Sequence, residues 1–172
     1  MIKKVIITGP ESTGKSTLSR ALAEHYHTMW VPEYAREYIN TLKRPYNQND
    51  LLNIMDGQLQ AEKKLGKEAR DILFCDTSLL VIKVWYEYKY GKLHPLINEK
   101  FKQFNCDLFL LPDIDLPWVY DPQREQPNQR TYFFNIYKRE LKQMEANFTV
   151  ISGPGSQRLK SAISAIDYVI KT

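Results

Sequence analysis

The sequence of 172 residues lacks the features that mark several large classes of protein. It contains no run of about 20 apolar residues, the length that an α-helix needs to cross a bilayer, so no membrane interaction is predicted. No signal peptide precedes the first predicted strand, and we therefore expect a cytoplasmic protein. Lysine and arginine form no dense run and the net charge is only +4, so the charge pattern does not predict a nucleic-acid partner.

Cysteine is also scarce, with two residues, Cys75 and Cys106. Each lies in or beside an apolar run, so both are interpreted as small buried residues in a reduced compartment. The three histidines are not spaced from either cysteine as metal ligands would be. The sequence therefore predicts neither a disulfide nor a zinc site, and it gives no indication of oligomeric state.

What the sequence does contain is a complete phosphate-binding loop near its start. Residues 9–16 read Gly-Pro-Glu-Ser-Thr-Gly-Lys-Ser and match the pattern Gly-x-x-x-x-Gly-Lys-Ser/Thr. The apolar run Val5–Ile7 before the loop predicts a buried strand, and Leu18, Ala21 and Leu22 after it predict one face of a helix. In such loops, backbone N–H groups and the positive end of the helix surround phosphate oxygens, the lysine contacts the β- and γ-phosphates, and the serine hydroxyl binds Mg²⁺.

The loop predicts binding of a nucleoside triphosphate together with Mg²⁺. Glycines at its two ends allow the tight curvature that brings N–H groups together. ATP is favoured because the guanine-reading tetrad Asn-Lys-x-Asp is absent. A glycine-bearing turn between any strand and helix is the alternative, and the match in its strand–helix context argues against it. The predicted cofactor-binding residues are Gly9, Glu11, Ser12, Thr13, Gly14, Lys15, Ser16 and Thr17.

The rest of the chain alternates between predicted strands and helices. Further buried strands are expected at Thr28–Val31, Ile72–Cys75, Leu108–Leu111 and Phe148–Ile151. Most of these runs are apolar without alternation, which is typical of a parallel sheet covered on both faces. We therefore expect one α/β domain with the P-loop NTPase fold, a five-stranded parallel sheet and helices on both faces. Ligands of such sheets bind beyond the carboxyl ends of the strands.

Polar residues at these strand ends are candidates for catalysis. Asp76 directly follows a buried strand, where P-loop enzymes place a carboxylate for Mg²⁺. The alternative for Asp76 is a helix N-cap, a role that suits Ser78 better. Glu33 and Arg36 share the first turn of a predicted helix, where the carboxylate can accept a proton from a substrate hydroxyl or hold a ribose, and the guanidinium can bind phosphate. Their alternative is a surface ion pair that contributes little stability.

The segment Asp113–Arg130 is too long for a plain connection in a compact domain. We expect it to be a lid that closes over the triphosphate and brings Arg124 or Arg130 to the transferring phosphoryl group, and two solvated loop arginines are the alternative. Aromatic residues near strand ends can stack on a planar or cationic ring, but spacing does not choose among them. These aromatic residues are Trp30, Tyr34, Trp85, Tyr86, Trp118 and Tyr120.

Taken in order, these motifs resemble the ribosylnicotinamide kinase domain of the NadR family over nearly the whole chain. The resemblance implies a nucleoside-monophosphate-kinase-like fold in which Asp113–Arg130 is the lid. It also implies ATP- and Mg²⁺-dependent phosphorylation of the 5′-hydroxyl of nicotinamide riboside to nicotinamide mononucleotide. Besides the loop, the motifs that carry it are Glu33–Tyr38, Asp76–Thr77, Tyr90–Gly91 with His94–Pro95, and Asp107–Leu108 leading to Pro117–Val119.

The chain departs from the family pattern in three ways. No DNA-binding or adenylyltransferase module precedes the kinase portion. Pro32 stands where the family has a tryptophan before Glu33, and Trp30 lies two residues earlier. The family's Asp-Thr-Asp is Asp76-Thr77-Ser78 in this chain, so serine replaces the last aspartate. The acceptor therefore stays open between nicotinamide riboside and another nucleoside or nucleotide, and a non-catalytic ATP- or GTP-binding module is a third possibility. The predicted sites are Lys15, Glu33, Asp76, Arg124 and Arg130 for catalysis, Ser16 and Asp76 for the metal, and Glu33, Tyr34, Arg36, Asp76, Trp85 and Trp118 for the substrate.

Overall fold

Five parallel strands form the central sheet of the computed structural model, which describes residues 2–171. The strands are β1 (Lys3–Ile7), β2 (Trp30–Val31), β3 (Ile72–Asp76), β4 (Leu108–Pro112) and β5 (Phe148–Ile151). Their order across the sheet is β2-β3-β1-β4-β5, and every pair is parallel. The predicted α/β fold with a five-stranded parallel sheet is thus confirmed. β3 and β4 are buried at every position, in agreement with their mostly apolar sequences, and Asp76 at the end of β3 is the charged exception.

Helices cover both faces of this sheet. Those in the described residues are α1 (Lys15–His25), α2 (Tyr34–Thr41), α3 (Gln48–Gly66), α4 (Leu79–Tyr90), α5 (Pro95–Lys102), α6 (Arg130–Gln143) and α7 (Gly155–Lys171). None of the helices between residues 2 and 171 is long and apolar enough to cross a membrane.

Successive residues of the strands pack into two different cores. In β1, Val5 and Ile7 face α1 and α7, whereas Ile6 faces α4 and α6. The same alternation holds in β3 and β4, because side chains point to opposite faces at each step along a strand. A third cluster joins α2, α3, α4 and α5 outside the sheet; its buried members are Leu51, Ile54, Met55, Leu79, Ile82, Tyr86 and Ile97.

Several helix ends carry residues that commonly mark such ends. Gly91 ends α4 in the left-handed conformation (φ 72°), and Asn47 with Asp50 forms a capping box at the start of α3. Helix α6 begins at Arg130, and Phe133 on its first turn is buried. Residues 113–129 contain no helix or strand, as predicted.

Candidate active site

The phosphate-binding loop (residues 9–16) leaves the carboxyl end of β1, the central strand, and leads into α1. Gly9 (φ 136°) and Gly14 (φ 79°) adopt conformations that favour glycine, and a Cβ on Gly9 would lie 3.0 Å from Leu111 Cδ1. Gly14 is the N-cap of α1, and no side chain caps this end of the helix. Its first N–H groups, at the positive end of the helix dipole, are therefore available to an anion.

Lys15 lies at the bottom of the loop, surrounded by carboxylates. Its Nζ donates a hydrogen bond to the Pro10 carbonyl at 2.8 Å. Burial lowers the pKa of Lys15, while the nearby charges of Glu33, Asp76 and Glu11 act to raise it. The charge of Lys15 is thus positioned to interact with a phosphate group bound in the loop.

Asp76 ends β3, beside the loop, and is 1% exposed. Burial raises its pKa, opposed by a hydrogen bond from Ser16 and by the charges of Lys15 and Arg36. Among the described residues, Asp76 Oδ1 is one of the few buried side-chain oxygens without a hydrogen-bond partner. Ser78 instead caps α4, accepting the Leu80 N–H at 3.4 Å, so the cap predicted for this region is Ser78.

Ser16 and Asp76 together suit a Mg²⁺ ion. The described residues contain no cluster of three or more His, Cys, Asp or Glu side chains that could enclose a metal. Mg²⁺ usually binds one or two protein oxygens and takes its other ligands from phosphates and water. The unpartnered Asp76 oxygen and the neighbouring Ser16 hydroxyl fit that pattern.

Glu33 occupies the N-cap position of α2, not the first turn as predicted, and makes no capping hydrogen bond. The Tyr34 N–H donates to Gln58 Oε1 of α3 at 3.0 Å. The Glu33 carboxylate lines the cavity. Burial raises the pKa of Glu33, Lys15 lowers it and Asp76 raises it. The Tyr34 ring packs against Gly57 of α3 and is not part of the cavity lining.

Arg36 is joined to the segment Asp113–Arg130, which we call the lid. Its Nη1 donates to Asp121 Oδ2 at 2.8 Å, so its ion-pair partner is in the lid and not Glu33. Gln123 of the lid donates to the Arg36 carbonyl at 3.1 Å and to Asn40 Oδ1 at 2.6 Å. The lid is therefore tied to α2.

The lid is also tied to the phosphate-binding loop. Ser12 Oγ accepts the Val119 N–H at 2.9 Å, and the Trp118 indole N–H donates to Glu11 at 3.3 Å. Arg130 donates to the Ser12 carbonyl at 3.1 Å and to the Leu116 carbonyl at 2.8 Å, outside the cavity. Of the two predicted lid arginines, Arg124 lines the cavity and Arg130 binds backbone carbonyls.

A single cavity of about 220 Å³ joins these groups. It contains all eight predicted residues of the loop region, together with Glu33, Arg36, Trp85 and Arg124. Tyr34, Asp76, Trp118 and Arg130 are not in its lining, and the predicted roles of these four residues stay predictions. The lining residues that sequence reasoning did not assign to the site are Ala35, Ile39, Tyr46, Leu51, Ile54, Val81, Ile82, Gln123 and Glu125.

Sequence reasoning also missed Arg158 of α7, which is 4% exposed. It donates to the Gly153 carbonyl at 2.8 Å and the Thr13 carbonyl at 3.3 Å, and it is paired with Asp115 of the lid. Arg158 therefore connects the phosphate-binding loop to the lid. It stands between Gln157 and Leu159 near the start of α7, and this position in the sequence gave no signal of such a role.

Two curated relatives resemble this chain along most of its length. The trifunctional NAD biosynthesis/regulator protein NadR of Salmonella typhimurium is 28% identical over 155 residues, which cover 86% of this chain and 37% of the relative. The protein of the same description in Escherichia coli K12 gives the same values. The chain thus spans about 37% of the length of these relatives, and the resemblance to the NadR family is confirmed.

Solved structures show the same fold. A NadR protein in complex with NR superposes with a TM-score of 0.85 at 24% identity, covering 99% of this chain and 52% of that one. A thymidylate kinase from Ehrlichia chaffeensis gives 0.70 at 15% identity, covering 95% of this chain and 98% of that one. A family model described as AAA domain matches residues 4–158. The chain therefore belongs to the AAA domain family.

Proposed function

We propose that the protein transfers the γ-phosphoryl group of ATP to the 5′-hydroxyl of nicotinamide riboside, giving nicotinamide mononucleotide. One observation carries this proposal: a single cavity joins the phosphate-binding loop to Glu33, Arg36 and an apolar wall from α2, α3 and α4. A protein that only senses a nucleotide needs no second pocket beside the phosphates. The NadR relatives, one of them solved with NR, support nicotinamide riboside as the acceptor.

In this proposal Glu33 is the general base. Its carboxylate makes no capping hydrogen bond, lines the cavity and lies close enough to Lys15 and Asp76 to be influenced by both charges. A raised pKa brings a carboxylate nearer to the pH at which it can accept a proton efficiently. Glu33 would take the proton of the attacking hydroxyl, and the apolar wall with Trp85 would hold the ring of the nucleoside.

Lys15 and Arg124 stabilise the charge on the transferring group. Both line the cavity, and they lie close enough for the charge of Arg124 to act to lower the pKa of Lys15. Ser16 and Asp76 would hold Mg²⁺, which when bound neutralises charge on the β- and γ-phosphates. Positioning and charge stabilisation are the main contributions a protein makes to phosphoryl transfer.

A kinase for a different nucleoside is the second candidate, favoured by Pro32 in place of the family's tryptophan beside Glu33. The decisive experiment measures ADP formation with nicotinamide riboside, thymidine, uridine, adenosine and cytidine as acceptors, with mass analysis of the product. We expect nicotinamide riboside to give the highest kcat/KM, and the Lys15→Ala variant to be inactive with every acceptor. A higher kcat/KM for another nucleoside selects the second candidate. Turnover independent of any acceptor would contradict both.

A further inference from the structure

Glu11 is an acidic residue inside a loop that binds phosphate. A carboxylate at this place repels a triphosphate, so direct binding of the nucleotide by its side chain is unfavourable. Its oxygens instead accept three hydrogen bonds, all from the lid. Oε1 accepts the Gln126 N–H at 3.0 Å and the Trp118 indole N–H at 3.3 Å, and Oε2 accepts the Glu125 N–H at 3.1 Å.

These hydrogen bonds are part of a set that holds the lid near Arg124. The two main-chain N–H groups held by Glu11 belong to the next two residues along the chain, Glu125 and Gln126. On the other side, the Arg124 guanidinium donates to the Val119 carbonyl, and the Val119 N–H is held by Ser12 Oγ. Hydrogen bonds to an ionised acceptor are about twice as strong as neutral ones, which suits Glu11 to fix this turn.

We propose that Glu11 is a positioning residue, which holds the lid so that the Arg124 guanidinium faces Lys15 across the cavity. The proposal rests on the proposed function, in which Arg124 stabilises the transferring phosphoryl group. The Glu11 side chain acts through Arg124 and touches neither phosphate nor acceptor. The loop thus has two binding roles: its N–H groups bind the nucleotide, and its one carboxylate binds the lid and fixes the lid conformation.

A double-mutant cycle tests this coupling. Glu11→Ala and Arg124→Ala are each expected to lower kcat by at least about tenfold, because each removes the arginine from the transferring group. The kcat of the double variant should lie within about threefold of the kcat of the slower single variant, because Glu11 has nothing left to position once Arg124 is gone. The affinity for ADP should change by less than about threefold in all three variants, because the Glu11 side chain does not bind phosphate and Arg124 acts on the γ-phosphoryl group, which ADP lacks. Glu24→Ala, at an exposed position of α1, is the matched control for loss of an acidic charge and should behave as wild type.

Glu11→Gln separates charge from shape. The amide keeps one acceptor oxygen but presents an N–H donor to one of the lid N–H groups, so its kcat should lie between those of wild type and Glu11→Ala. Multiplicative losses in the double variant, or a large loss of ADP affinity with kcat unchanged, would overturn the proposal.

Amide hydrogen exchange makes the test independent of the reaction. In the nucleotide-free protein, Glu11→Ala should speed exchange at Glu125 and Gln126 by about tenfold or more, while exchange in β1 and β3 stays at the wild-type rate. Unchanged exchange at those two amides would show that Glu11 does not hold this part of the lid. If the wild-type protein phosphorylates no nucleoside, the proposed function fails, yet the exchange measurement still decides whether Glu11 holds the lid.

Discussion

Arg36 of α2 and Asp121 of the lid form an ion pair with 2.8 Å between Nη1 and Oδ2. Hydrogen bonds from Gln123 and Arg36 hold the pKa of Asp121 below its usual value. The pair is partly exposed, so it contributes little to global stability and is weakened by salt. Its effect should appear in how well the lid closes beside the acceptor.

Asp121→Asn should therefore change substrate binding more than folding. We expect KM for the acceptor to rise a few-fold at low salt, with a change in unfolding free energy below about 1 kcal/mol. Raising the NaCl concentration should increase KM in wild type and have a smaller effect in the variant, because the ion pair is already lost. Glu37→Gln, on the exposed side of α2, is the control. Equal salt dependence in wild type and Asp121→Asn would contradict the prediction.

Asp76→Asn should reduce kcat by orders of magnitude without lowering Tm. The capping role belongs to Ser78, so no helix cap is lost. Because burial raises the pKa of Asp76 above 3.8, its ionised form costs stability as pH rises past that value, and asparagine avoids the cost. Tm at pH 7 should be unchanged or higher. A lower Tm with normal kcat would make Asp76 a structural residue only.

The pH profile of kcat should report Glu33. Burial raises its pKa above the ordinary 4.5, and a base must be deprotonated to act, so kcat should fall on the acid side with a midpoint above pH 4.5. Asp76 also titrates above its usual range, so the two groups must be separated. The acid limb should disappear in the residual activity of Glu33→Gln and persist in that of Asp76→Asn. The reverse pattern would assign the base to Asp76.

Arg124 and Arg130 should give opposite phenotypes. Arg124→Ala is expected to lower kcat strongly with little effect on Tm, because Arg124 lines the cavity. Arg130→Ala removes hydrogen bonds to the Ser12 and Leu116 carbonyls and should cost about 1–3 kcal/mol of stability, with a smaller change in kcat. Urea unfolding and steady-state kinetics on both variants decide; a large kcat effect confined to Arg130→Ala would exchange the two roles.

Asp50 should supply acid-sensitive stability to the wall of the cavity. Hydrogen bonds from Arg44, the largest contribution, lower its pKa to about 2. Its depressed pKa contributes stability that is present above pH 3.8 and is lost as pH falls toward about 2. Asp50→Asn should lower the unfolding free energy at pH 7, and the difference from wild type should shrink at pH 3. A difference that does not depend on pH would rule out the charge as its source.

The sequence was sufficient where the determinants are local. Residues 9–16 predicted their own loop, and unbroken apolar runs such as Leu108–Leu111 predicted the parallel sheet. The partner of Arg36 could not be predicted, because Asp121 is 85 residues away and meets it only through the fold of the lid. The apolar lining had the same difficulty: Ile54 and Ile82 have the spacing of core residues, and only tertiary packing turns one side of that core toward a ligand.

Gly57 lies outside the cavity but restricts which sequences can build it. A Cβ at this position would lie 2.1 Å from Tyr34 Cε1, so a larger residue at 57 must displace the ring next to Glu33. Homologues with a large aromatic residue at position 34 should therefore have glycine at position 57, and those with a side chain at 57 should have a small residue at 34. The two positions are expected to covary, and a break in that covariation would mark a lineage whose acceptor pocket has changed shape.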